Sequence, residues 1–78
     1  MTPAEREVLE QFSKRMWALY RETSDPALVA RYGTLHSNAR QILKGKDTPE
    51  LRAQFKKNLD DLRRYEEGFY DELAKVLG

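Results

Sequence analysis

Seventy-eight residues, 35% charged and 40% hydrophobic, suffice for one domain spanning 1–78 with an economical core. The absence of Cys excludes a disulfide framework and any thiolate site for zinc, haem or an iron–sulfur cluster. Fourteen basic residues against thirteen acidic ones leave a formal charge of +1, too little to steer the chain onto nucleic acid or anionic lipid, and no apolar run nears the roughly 20 residues that span a bilayer.

Three equally spaced dipeptides punctuate the chain: Thr2-Pro3, Asp25-Pro26 and Thr48-Pro49. In each, the Thr or Asp side chain can accept an orphan backbone N–H as N-cap. Pro then suits the first helical position, where its missing N–H has no intrahelical partner to lose. The first helix is predicted over about 3–23. Thr2-Pro3-Ala4-Glu5 reads as a capping box in which Glu5 reaches back to the Thr2 N–H. Val8, Leu9, Phe12, Met16, Leu19 and Tyr20 recur in steps of three and four, one stripe of that helix.

The second helix is predicted over about 26–44, with Leu28, Val29, Tyr32, Leu35, Ala39, Ile42 and Leu43 as its stripe and Gly45 just past its end. Gly33 inside it costs about 1 kcal/mol relative to Ala and predicts a kink or split near Tyr32-Gly33-Thr34. The third helix is predicted over about 49–77, carrying Leu51, Phe55, Leu59, Leu62, Tyr65, Phe69, Tyr70, Leu73, Val76 and Leu77. At 1.5 Å per residue it would run roughly 43 Å against roughly 30 Å for the others. Either Gly68 breaks it, or Leu73, Val76 and Leu77 project beyond the first helix. No stretch alternates with period two, so the expected fold class is all-α, an up-down-up three-helix bundle.

Trp17 is the strongest functional clue. It lies more than about 120° from the centre of the first helix's stripe, on a side expected to face water. Arg6, Glu10, Ser13 and Arg21 share that side, with Tyr20 at its edge. A Trp beside a Tyr, an Arg and a Ser has the composition of a binding hot spot. The structural alternative is that Trp17 covers a seam between helices, its ring flat on aliphatic stems.

His36, the single His, sits on the flank of the second stripe with Val29, Gly33 and Arg40, near the level of Phe12 and Asn58. It lacks companions for a metal site or a catalytic dyad, so no metal ligand and no catalytic residue is assigned. Its expected role is a hydrogen-bonded structural or interface His. Asn58 and Glu66 interrupt the third stripe, and the levels of the bundle suggest contacts of Asn58 with His36 and of Glu66 with Tyr20. The basic pairs Lys14-Arg15, Lys56-Lys57 and Arg63-Arg64 are interleaved with acids, a pattern of solvated faces and not of a phosphate-tracking groove. No phosphate loop or nucleophile elbow is present.

Capped Thr-Pro and Asp-Pro starts, Gly stops, minimal connections and mixed near-neutral charge follow design rules. Thr48-Pro49-Glu50-Leu51-Arg52-Ala53-Gln54-Phe55 and Asp71-Glu72-Leu73-Ala74-Lys75-Val76-Leu77-Gly78 are the clearest such segments. In that style the chain resembles de novo designed helical mini-proteins. The resemblance implies that function was installed where regularity lapses, as in Ser13-Lys14-Arg15-Met16-Trp17 and Tyr32-Gly33-Thr34-Leu35-His36-Ser37-Asn38.

The function expected is therefore that of a non-catalytic binding module. It would engage a protein partner through Trp17 and Tyr20, with Ser13, Glu10, Arg21 and His36 around them. A second reading is a homodimer through Phe69, Leu73, Val76 and Leu77. A third, from a different class, is a small-molecule site or designed catalyst lined by His36, Tyr32, Asn58 and Trp17. No cofactor, nucleic acid or membrane is expected as partner. Met1-Thr2-Pro3-Ala4-Glu5-Arg6-Glu7 lacks the regions of a secretory signal, so a natural chain of this kind would be cytoplasmic.

Overall fold

The structure is a computed structural model that describes residues 2–62. Three helices account for most of them: α1 (Pro3–Glu22), α2 (Pro26–Leu43) and α3 (Pro49–Leu62), with no strand among the described residues. The expected course of the third helix to 77, its break at Gly68, the Glu66–Tyr20 contact and the self-association surface at Phe69, Leu73, Val76 and Leu77 all lie outside the described residues.

Each helix starts where its cap dictates. Thr2 Oγ1 accepts the Glu5 N–H at 3.2 Å, Asp25 accepts the Ala27 N–H at 3.0 Å, and Thr48 Oγ1 accepts the Leu51 N–H at 3.1 Å. The reciprocal half of the expected capping box takes another form. The Thr2 hydroxyl donates to Glu5 Oε1 at 3.1 Å, so the Glu5 carboxylate is held by the cap side chain instead of the cap N–H. α2 ends in a Schellman motif. The Gly45 N–H donates to the Ile42 carbonyl at 3.1 Å and the Lys46 N–H to the Gln41 carbonyl at 3.0 Å. Gly45 has φ 100°, a conformation in which a Cβ would be strained. Beyond this turn, Asp47 and Arg52 form a two-bond clamp at 2.5 and 2.8 Å that ties the connection to the first turn of α3. The guanidinium beside it holds the Asp47 carboxyl below its ordinary range.

α1 and α2 run antiparallel. Arg6 at the start of α1 donates to the Leu43 carbonyl at the end of α2, at 3.1 Å, while Tyr20 near the end of α1 lies against Gly33. α2 and α3 are antiparallel too, since Arg31 reaches Asp61 at 3.6 Å. The order is up, down, up. Leu9, Phe12, Met16, Leu35, Ala39, Ile42, Phe55, Leu59 and Leu62 form the buried centre, with Tyr32 and Leu43.

The packing is uneven. The α2 backbone comes close to both neighbours, whereas α1 and α3 meet through side chains: Phe12 and Phe55 touch edge to face with centroids 5.6 Å apart and planes at 78°. Two large rings hold those helices apart, while small residues at the α1–α2 seam, Ser13 and Gly33, let the other pair close up. The expected break in α2 does not occur: helix runs unbroken through Tyr32, Gly33 and Thr34. Packing against α1 outweighs the propensity cost at Gly33, and the Thr34 hydroxyl donates to the Ala30 carbonyl at 2.9 Å within the helix.

Candidate functional site

Arg6, Glu10, Ser13, Trp17 and Tyr20 follow one another on α1 in steps of four and three, and Val29, Gly33, His36, Arg40 and Leu43 do the same on α2. Such rows are ridges, and in an antiparallel pair they face each other along one seam. The structure places Tyr20 against Gly33, Trp17 and Ser13 against His36, and Arg6 against Leu43 along it. This seam lines one edge of the α1–α2 pair.

At its centre is an aromatic stack. Trp17 and Tyr20 lie nearly parallel, planes at 14° and centroids 5.5 Å apart. Trp17 also tilts over the His36 imidazole at 36° and 5.1 Å. Trp17 keeps 47% of its surface exposed and Tyr20 38%, the two large apolar side chains on the outside of the described residues. The Trp17 ring thus covers the helix seam, as the structural alternative has it, while about half of it faces solvent. The ring lies against the Tyr20 ring and the His36 imidazole.

Gly33 is the seat of this arrangement. A Cβ there would stand 3.2 Å from Tyr20 Cε2 and 3.3 Å from Cδ2, closer than ordinary van der Waals contact. The sequence marked Gly33 as a weak point of α2. Its function as a floor for Tyr20 could be found only by pairing the two ridges, whose common four-three spacing was the available signal.

His36 is fastened from below. Its Nδ1 lies 3.0 Å from the Ser13 carbonyl oxygen and 3.1 Å from Ser13 Oγ. With its hydrogen on Nδ1 the ring donates to the Ser13 carbonyl; with it on Nε2, Nδ1 accepts from the Ser13 hydroxyl; either way the imidazole is held against Ser13. Ser13 itself is only 2% exposed.

Other candidates separate. Ser13 is an interior support and not part of an exposed rim, because its small side chain fits under His36. Glu10 pairs with Arg6 across one helical turn at 3.5 Å. Arg21 is exposed and borders a shallow depression with Trp17, Ala18 and Glu22. Asn58 lines a groove with Ala30, Arg31 and Thr34 on the α3 side of α2. Positions 34 and 36 of a helix point about 200° apart, so His36 turns to α1 and away from Asn58. Tyr32 is buried in the core. Among the described residues, those of the small-molecule reading thus lie apart: His36 and Trp17 at the α1–α2 seam, Asn58 in the groove beside α3 and Tyr32 in the core. Among the described residues no three His, Asp or Glu side chains gather as a metal site, and no helix is long and apolar enough to cross a membrane.

Comparison of the chain with protein-family models, with curated proteins and with solved structures finds no match.

Proposed function

We propose that the chain is a non-catalytic binding module that docks a protein partner on the Trp17–Tyr20 face, in the manner of a designed helical mini-protein. The observation that carries this reading is a half-exposed aromatic pair stacked on a supported floor. Tyr20 sits on Gly33, Trp17 on His36, and His36 on Ser13. Rings held this way lose little freedom on binding, so their burial in a partner pocket is not offset by ordering. The shallow depression beside Trp17, bordered by Arg21 and Glu22, provides a polar rim.

Peptides selected from a random-peptide display library on the immobilised chain supply a defined probe. Trp17→Ala should weaken the selected peptides by about 30-fold or more, equivalent to about 2 kcal/mol. Because the ring also covers the seam, the same change should lower stability by about 1 kcal/mol, short of unfolding. Peptides that bind the Trp17→Ala variant as well as the parent would sink the reading.

A further inference from the structure

We infer that the partner segment covering the aromatic pair is acidic, an apolar residue flanked by carboxylates. This rests on the docking reading above and adds the chemistry of the occupant.

The ground for it is the charge around Trp17. Lys14 precedes Trp17 by three residues and Arg21 follows it by four, so both border its ring on α1. Arg40 follows His36 by four on α2 and borders the same seam. All three are exposed. Among the described residues, ion pairs engage Arg6 with Glu10, Arg31 with Asp61 and Arg52 with Asp47, and none involves these three cations. Among the described residues, the acids on α1 near them are Glu10, which pairs with Arg6, and Glu22; Asp25 follows Arg21 by four, and its carboxylate caps α2; α2 itself contains no Asp or Glu. The exposed aromatics are therefore flanked by three exposed cations that make no ion pair among the described residues.

Charge complementarity selects among occupants. A second copy docking by a two-fold axis would set Lys14, Arg21 and Arg40 against themselves, an arrangement that like charges disfavour. A single-stranded nucleic acid needs open ring faces for its bases. Trp17 already stacks on Tyr20 and leans on His36, and Glu22 would stand beside the phosphates. A peptide with Asp or Glu on either side of an apolar residue satisfies the rim and the rings together. The cations would steer its approach and lose water when the rings are covered.

The experiment uses the full chain and the random-peptide display library. Trp17 is the single Trp, so its fluorescence reports each titration directly. Selected peptides should share an apolar residue flanked by Asp or Glu, and should weaken at least tenfold between about 50 mM and about 500 mM salt as screening shortens. The variant Lys14→Glu/Arg21→Glu/Arg40→Glu should lose at least tenfold in affinity while its circular-dichroism melt stays close to that of the parent, since all three side chains are exposed. Peptides that need Trp17 yet show no acidic enrichment and no salt dependence would overturn this inference and leave the docking reading intact. Absence of any Trp17-dependent peptide would overturn both. Tighter binding of a labelled oligothymidylate than of any acidic peptide, or a dimer in light scattering that Trp17→Ala abolishes, would also overturn it and name the other occupant.

Discussion

Asn38 bears a cost that its neighbours in the core avoid. It is 6% exposed, and its Nδ2 is enclosed without a hydrogen-bond partner among the described residues. A buried donor left unmatched forfeits its hydration, at about 1–3 kcal/mol. Asn38→Leu, similar in volume and free of polar atoms, should therefore raise the urea midpoint by an amount equivalent to about 1 kcal/mol. A drop in the midpoint would show that the amide has a structural task. Ser13 presents the opposite case, a buried polar side chain whose hydroxyl lies 3.1 Å and whose carbonyl lies 3.0 Å from the same ring nitrogen. Ser13→Ala keeps the carbonyl contact and removes the hydroxyl. Its effect should be small on stability, about 0.5–1 kcal/mol by urea unfolding.

At the scale of elements, the α1–α2 seam and the connection to α3 make separate predictions. Gly33→Ala recovers about 1 kcal/mol of helix propensity but brings a methyl to 3.2 Å from the Tyr20 ring. That ring is 38% exposed and has room to move outward by a few tenths of an ångström. The melting temperature should rise by a few degrees while the near-ultraviolet circular dichroism of the Trp17–Tyr20 stack declines. Gly33→Leu should abolish that signal, because its side chain takes the place of the ring. The Asp47–Arg52 clamp is tested by pH. Arg52 lowers the folded-state pKa of Asp47, so its contribution is present above the ordinary carboxylate range and is lost as pH falls through the lowered folded value. Asp47→Asn should thus reduce stability near pH 7 and lose its difference from the parent near pH 2. The effect should not exceed about 1 kcal/mol, since both side chains are partly exposed. Denaturant midpoints across that range check it.

At the scale of the whole molecule, Phe12 and Phe55 join α1 and α3, whose backbones stay apart among the described residues. Deleting a buried Phe costs about 3–5 kcal/mol, comparable to the total stability that a core of this size provides. Phe55→Ala should therefore populate the unfolded state at room temperature, whereas Phe55→Leu should retain a cooperative melt. Far-ultraviolet circular dichroism separates the outcomes. A folded Phe55→Ala variant would mean that α1 and α2 hold together as a hairpin without α3.

Local chemistry was legible in the residues themselves. Thr2, Asp25 and Thr48 cap their helices, Gly45 ends α2, and the stripes from Leu9 to Leu62 meet as a core, because caps and periodicity act within a few residues of one another. Trp17 could be recognised as surplus to that core for the same reason. What surrounds it depended on the pairing of two helices. Gly33 became a seat for Tyr20 instead of a break, Ser13 a buried support instead of a rim residue, and Asn58 and His36 parted to opposite sides of α2. Propensity and spacing describe one helix at a time. The depth at which α1 settles onto α2, set by the small residues Ser13 and Gly33, is a property of the packed pair.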